Sequence, residues 1–445
     1  MIDEKELQTV RDTLDLARRA GAQKARVTLA KSEEDLIATL NGEVDRVTHC
    51  ADRSLSIALF VDGRFGSFST NKLDRQSLEA FIAKAADIVR MLAEDPCRDL
   101  PDPSRTCSDA LTGDELGLVD PFYFEMTPEL RMKTALAASA FDAPTDGDYR
   151  VVSEEGEYSD SIYDTVIMDT NGLFARHTET SFDYGVEVTI EDSEGDKYTG
   201  YWWDAASHFK DLKAAGCGLT AVRKAAGQIG SEPAPSGKYN MVIDTEVASK
   251  AVSSLLRALS AYAIQQNSSF LMDSVGKKVF PDGLTIMDLP HIKGQTCSKL
   301  FDSEGVATKE CPIIENGVVK QYFVNTYMSN KMGIEPTVED STRARVMPWP
   351  KPGLGRDGIL AMCGSGILVT DFNGGNSNPV TGDFSYGIEG YRFEDGKIAE
   401  PVSEMIVTGN FITLWKGLIA AGDDARPCMS KLIPTLAFSN VDFSG

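Results

Sequence analysis

The stretch Ser54-Leu55-Ser56-Ile57-Ala58-Leu59-Phe60-Val61-Asp62-Gly63-Arg64-Phe65-Gly66-Ser67-Phe68-Ser69 sets the fold class. Leu55, Ile57, Leu59 and Val61 recur at every second residue, the spacing that puts side chains on one face of a strand. Asp62-Gly63 is a two-residue turn signal, because both central positions of a tight hairpin turn need positive φ, which these residues tolerate. The stretch therefore predicts a β-hairpin, within strand-like sequence that runs from about 35 to 69. Beyond it, Asp74 is an N-cap for a helix whose apolar positions are Leu78, Phe81, Ile82, Ala85, Val89 and Leu92. Before it, Leu7, Val10, Leu14 and Ala17 share a helical face that Gly21 ends. Residues 1–95 read as an N-terminal α/β domain.

Residues 96–128 hold Pro96, Pro101, Pro103, Pro121 and Pro128 without a sustained period, which marks a linker. Thr127-Pro128-Glu129 then supplies a capping hydroxyl, a proline at the first helical position and an acid at the positive end of the dipole, opening a helix to about Phe141. The central segment, 129–232, repeats the first pattern. Asn171-Gly172, Phe182 to Ile190, Gly195 and a helix near 211–227 follow the order of Asn41-Gly42, Ser54 to Val61, Gly63 and the helix after Asp74. An internal duplication accounts for this, as does chance recurrence of a common strand-turn-strand-helix unit. Pro233 and Pro235 mark another boundary, and 238–445 reads as a β-rich C-terminal domain with hairpin turns at Asn316-Gly317 and Asp395-Gly396. Its one strong helix, Thr245 to Gln265, carries Val252, Leu255, Leu256, Leu259 and Tyr262 on one side. The expected class is α+β: an N-terminal α/β region followed by a β-rich domain.

A chain of 445 residues exceeds one core, and its 42% hydrophobic and 25% charged residues exclude disorder. The formal charge of −23 disfavours direct contact with nucleic acid or an anionic membrane. The acidic start Met1-Ile2-Asp3-Glu4-Lys5-Glu6 lacks an apolar targeting core, and no run approaches the roughly 18 apolar residues of a membrane span, so the expected location is the cytoplasm. The eight cysteines contain no C-x-x-C pair and read as free thiols.

Gly353-Leu354-Gly355-Arg356-Asp357-Gly358 matches G-x-G-x-x-G, but Pro348, Pro350 and Pro352 leave no strand before it, so a flexible loop is expected. Phosphate-loop and serine-elbow motifs are absent. His49, His177, His208 and His291 each stand alone, with no pair on one helix face to bind zinc. Glu154, Glu155, Glu157 and Asp160 read as a solvated acidic loop. No catalytic or metal-ligating residue is assigned. Two glycine-rich polar stretches, Cys297 to Gly305 and Asn378 to Tyr391, are either tight turns or the walls of a substrate cleft; as a cleft they nominate Asp302, Ser303, Glu304, Gly305, Thr381, Gly382, Asp383, Ser385 and Tyr386.

Those stretches, with Asn267-Ser268-Ser269-Phe270-Leu271, Phe301-Asp302-Ser303-Glu304-Gly305-Val306, Glu315-Asn316-Gly317-Val318 and Gly422-Asp423-Asp424, resemble the TldD/PmbA family, long labelled modulators of DNA gyrase. The resemblance covers nearly the whole chain. It implies a heterodimeric metalloprotease in which the TldD-like branch carries H-E-x-x-x-H on the helix after the first strand of the C-terminal domain, with a further cysteine ligand downstream. In this sequence that helix begins T-E-V-A-S-K at Thr245 and holds no histidine, and Gly382 to Tyr391 holds no cysteine. The chain is similar to the PmbA branch, also called TldE. The resemblance then implies no cofactor in this chain, zinc in a TldD-like partner, and an unfolded peptide as the shared substrate. The expected role is a non-catalytic subunit of an intracellular peptidase complex. Two other classes stay open: a stand-alone peptide-binding or regulatory homodimer, and an enzyme using carboxylate-held metal. Trp202-Trp203 and Tyr322-Phe323 are candidate partner contacts or, alternatively, core residues.

Overall fold

The computed structural model describes residues 1–143 and 147–445. The hairpin read at Ser54 to Ser69 is the outer part of a six-stranded sheet. Its elements are α1 (Glu4–Arg19), β1 (Lys24–Leu40), β2 (Glu43–Val61), β3 (Arg64–Thr70), α2 (Arg75–Arg90), α3 (Pro128–Ala137), β4 (Tyr149–Asp169), β5 (Phe174–Asp192), β6 (Lys197–Ala206) and α4 (Cys217–Ala226). The strand order is β3-β2-β1-β4-β5-β6. Helix, three strands, helix thus occurs twice, and the two halves join where β1 pairs antiparallel with β4, from Arg26 opposite Asp169 to Leu40 opposite Glu155.

Local chemistry accounts for the ends. Asp3 and Glu6 form a reciprocal capping box on α1, Asp74 accepts the Ser77 N–H at 2.9 Å, and Thr127 accepts the Leu130 N–H ahead of Pro128. Leu55, Ile57, Leu59 and Val61 are fully buried under α1 and α2, against Leu7, Val10, Ile82 and Val89, and Val166 and Met168 of β4 complete that core. The strands start earlier than the expected 35. Ala25, Val27 and Leu29 are buried in alternation with Lys24, Arg26 and Thr28, and the charged run from Lys31 to Asp35 had hidden that period.

The acidic run expected as a loop is instead part of β4. Glu154 and Asp160 are 1% and 0% exposed, because donors wait for each of them: the Ala140 N–H and Ser139 hydroxyl for Glu154, and a bidentate Arg131 guanidinium for Asp160. The proline-rich connection passes against the C-terminal domain, where Thr106 bridges Val306 and the Cys107 N–H reaches the Gly305 carbonyl at 2.9 Å.

The C-terminal domain contains, in order, β7 (Gly237–Ile243), α5 (Ser249–Ala258), α6 (Ala261–Gln265), β8 (Ile286–Asp288), β9 (Cys311–Glu315), β10 (Val318–Val319), α7 (Thr326–Met332), β11 (Ala344–Val346), α8 (Arg356–Cys363), β12 (Gly366–Asp371), β13 (Asn376–Ser377), β14 (Asp383–Glu394), β15 (Lys397–Asn410), α9 (Phe411–Lys416), β16 (Leu418–Ala421) and β17 (Leu436–Ser444). A small sheet runs β10-β9-β8-β11; a larger one runs β12-β7-β17-β15-β14-β13, and an additional β12–β14 pairing closes it on itself. The fold is α+β, as the sequence implies. Two local expectations fail. The helix from Thr245 to Gln265 breaks in two at Ser260, whose extended backbone bridges Phe323 while the Ala261 N–H bonds the Phe323 carbonyl. Gly353 to Gly358 is no mere loop, since Gly355 is the N-cap of α8; still, no strand leads into it, β11 having ended at Val346.

Candidate functional site

The junction of β7 with α5 opens into a cleft between the C-terminal domain and the edge formed by β6 and α4. Two cavities of about 590 and 770 Å³ share Trp202, Asp244, Glu246 and Arg356 as lining. Asp244, at the end of β7, accepts the Glu246 N–H and, at 3.2 Å, Nη1 of Arg356. Glu246 Oε2 lies 2.5 Å from Lys224 Nζ on α4. Burial pushes the Glu246 carboxyl up, and the neighbouring Lys224 ammonium pulls against it. Arg426 stacks on Trp202 and Trp203, 4.2 and 5.2 Å from the ring centroids, and donates to the Trp203 carbonyl. The Lys250 ammonium sits 4.5 Å from the ring of Tyr386.

The resemblance implies a zinc motif at this position in a TldD-like chain, and the groups present here do not fit the ion. The spacing reads Thr245-Glu246-x-x-x-Lys250. The Thr245 hydroxyl donates to the Ile433 carbonyl at 2.7 Å, Lys250 is an ammonium with no lone pair held on an aromatic face, and Glu246 is paired with Lys224. Zinc needs a set of imidazole, thiolate or carboxylate lone pairs converging on one point. Among the described residues no group of three or more His, Cys, Asp or Glu could hold a metal ion.

The residues nominated from sequence divide between two places. Asp302 and Ser303 line a separate cavity of about 600 Å³ between the six-stranded sheet and the C-terminal domain, with His177, Glu179, Lys299, Glu339 and others. The Ser303 hydroxyl donates to Glu339 at 2.6 Å. Asp302 accepts N–H groups from Glu304, Val306 and Glu339, yet burial and the Glu339 charge raise its carboxyl to about 6. Glu304 instead takes the N–H and hydroxyl of Thr326 at the start of α7. Gly305 has φ of 83°, with Leu173 packed where a Cβ would go. The second stretch has other surroundings. Thr381 and Asn410 both donate to Asp383, Gly382 lies against Phe270, Ser385 pairs with Asn376, and Tyr386 is buried beneath Lys250. None of residues 378–391 lines the cavity of Asp302. Sequence reasoning missed Lys224, Arg426 and Glu179 and left His177 as a lone imidazole; Lys224 lies on α4, His177 and Glu179 on β5 and Arg426 in the connection between β16 and β17, distant segments that share no motif. Of the candidate contacts, Phe323 is a core residue at 2% exposure, while Trp202 and Trp203 line the cleft.

Fold and site define a chain of metallopeptidase-family architecture: a doubled α/β sheet, and a closed β domain that presents its first strand-to-helix junction to an interdomain cleft. The chain belongs to the PmbA/TldD family. Residues 25–89, 122–229 and 236–445 match its domain 1, central domain and C-terminal domain, described as those of the PmbA/TldA metallopeptidase. It is 29% identical to Metalloprotease PmbA of Escherichia coli O157:H7 over 93% of this chain and 91% of the relative. A solved structure from Bacteroides thetaiotaomicron, described as a modulator of DNA gyrase, shares 37% identity at a TM-score of 0.95, with 100% of both chains covered. The TldE structure from Thermococcus kodakarensis shares the fold at a TM-score of 0.83 and 18% identity, over 98% of this chain and 100% of that one.

Proposed function

We propose that this chain is the zinc-free subunit of a TldD/TldE-type metalloprotease complex, working in the cytoplasm beside a TldD-like protein that carries the metal. The observation supporting this is the Thr245-Glu246-x-x-x-Lys250 junction, where two potential ligand positions are a donor hydroxyl and an ammonium, and the one carboxylate is neutralised by Lys224. The subunit's share of the work is to shape the chamber that receives an unfolded peptide, with the interdomain clefts as walls. It has no cofactor of its own. Among the described residues no helix is long and apolar enough to cross a membrane, and the charge of −23 leaves a gyrase effect indirect. Co-expression with the organism's TldD-like protein tests the reading. The expected result is a co-purifying complex that contains zinc and cleaves unfolded peptides, while this chain alone has neither property. Stoichiometric zinc in the isolated chain, lost together with activity on chelation, sinks it. A second reading, a stand-alone peptide-binding or regulatory homodimer, draws on the gyrase-modulator description of the solved relative. Failure to bind any TldD-like protein favours it.

A further inference from the structure

Strand β2 has a neighbour on only one side over much of its length. It pairs with β1 from Glu43 to Phe60, but with β3 only from Leu55 to Val61. Residues 43–54 therefore form an open edge. The direction of its backbone groups follows from the turn. Val61 and Arg64 flank the two-residue turn and exchange hydrogen bonds, so the odd-numbered residues of β2 face β3 and the even-numbered ones face β1. Consistent with this, the Phe60 carbonyl accepts the Gln23 N–H at 3.0 Å on the β1 side. The β1–β2 register runs unshifted from Lys24 opposite Phe60 to Ala38 opposite Arg46. The alternation thus holds down to Arg46, and Val47, His49, Ala51 and Arg53 aim their N–H and C=O groups outward with no strand among the described residues to receive them. A bulge opposite Ala38 and Thr39 ends the regular edge at Asp45.

We propose that this edge pairs antiparallel with the same edge of a second copy of the chain, on a two-fold axis through His49. A two-fold contact must be self-complementary. Axes through Val47, Thr48, His49 or Cys50 all bring outward-facing residues opposite one another, but they differ in charge. The axis at His49 sets Arg46 against Asp52 twice, with the bulged Asp45 near Arg53, which also holds Glu6 of its own chain at 3.1 Å, at each end. The axis at Thr48 leaves only Glu43 against Arg53, and the others make no carboxylate–guanidinium pair. The His49 register also lays Val47, 60% exposed in the single chain, against Ala51 of the second copy. Pairing removes the exposed row of backbone groups that makes a long free edge a liability. The surface is distinct from the cleft at Glu246, so this inference stands apart from the proposed enzymatic role.

In this register Thr48 lies opposite Cys50, an exposed free thiol, at a separation that suits a disulfide. Under mild oxidation Thr48→Cys should give a reducible covalent dimer about tenfold faster than the unmodified chain, since pairing raises the effective thiol concentration toward the millimolar range. Arg46→Cys, opposite Cys50 only in the Thr48-centred register, should not. Sedimentation velocity should show a concentration-dependent dimer that His49→Pro abolishes without loss of near-ultraviolet circular dichroism, because an edge proline removes an outward N–H and the exposed His49–Asp35 contact but no hydrogen bond of the β1–β2 ladder. A monomer at every concentration, no rate gain for Thr48→Cys, faster linkage through Arg46→Cys, or pairing of this edge only with a TldD-like subunit would each overturn the proposal.

Discussion

Asp302 shows how a single side chain can carry opposing demands. Three backbone N–H groups favour its carboxylate, but burial and the Glu339 charge outweigh them and hold it up to about 6. The sign of the consequence is fixed. With a folded value above the ordinary aspartate value of about 4, the stability this group contributes is fully present below that value and is lost as pH rises through 6, on the order of 2–3 kcal/mol in all. Asp302→Asn should flatten the fall in unfolding free energy between pH 4 and 7 relative to the unmodified chain. Denaturant titrations at several pH values give the comparison, and an unchanged slope would show that Asp302 titrates normally. Its selection from sequence rested on a glycine-rich stretch that also carries the family resemblance; Glu339, which shifts it, sits 37 residues later with no motif to announce it.

At the scale of elements, caps and hairpins were legible because their chemistry is local. Asp74, Thr127-Pro128, Asp62-Gly63 and Asn316-Gly317 each do in the fold what short-range stereochemistry demands. What anchors α3 was not legible. The Arg131 guanidinium grips Asp160 of β4 through two bonds of 2.7 Å, with Asp35 of β1 at 3.0 Å, and Asp160 is wholly buried. From sequence, Asp160 is one acid among several, and only a partner 29 residues away makes it a core residue. Removing one member of such a pair strands the other charge in a low-dielectric site. Arg131→Met should therefore cost about 3–5 kcal/mol, while adding Asp160→Leu should recover much of that loss. Equilibrium unfolding of the two variants decides it; a double variant no more stable than the single one would mean the pair contributes more than charge compensation.

For the whole molecule, the decisive contact is the pairing of β1 with β4, which nothing in either strand's own sequence specifies. Alternation states that a strand has a buried face but not which strand lies beside it, so the chain could be parsed into α/β segments without showing that 1–95 and 129–232 share one sheet. The family resemblance supplied the order of segments, and the sheet supplies the physics that joins them. β1 lies inside the sheet with β2 on one side and β4 on the other, and the core under α1 and α2 is closed by Val166 and Met168 from β4. A fragment ending at residue 94 would lose both and expose the β1 edge from Arg26 to Leu40, a template for intermolecular pairing. Such a fragment should aggregate or remain poorly ordered, whereas residues 1–232 should unfold as one cooperative unit. Circular dichroism melts and sedimentation of the two fragments test this. A monomeric 1–94 fragment with a sharp transition would show that α1, α2 and three strands suffice for a core, and the β1–β4 seam would then be a docking surface between two independent halves.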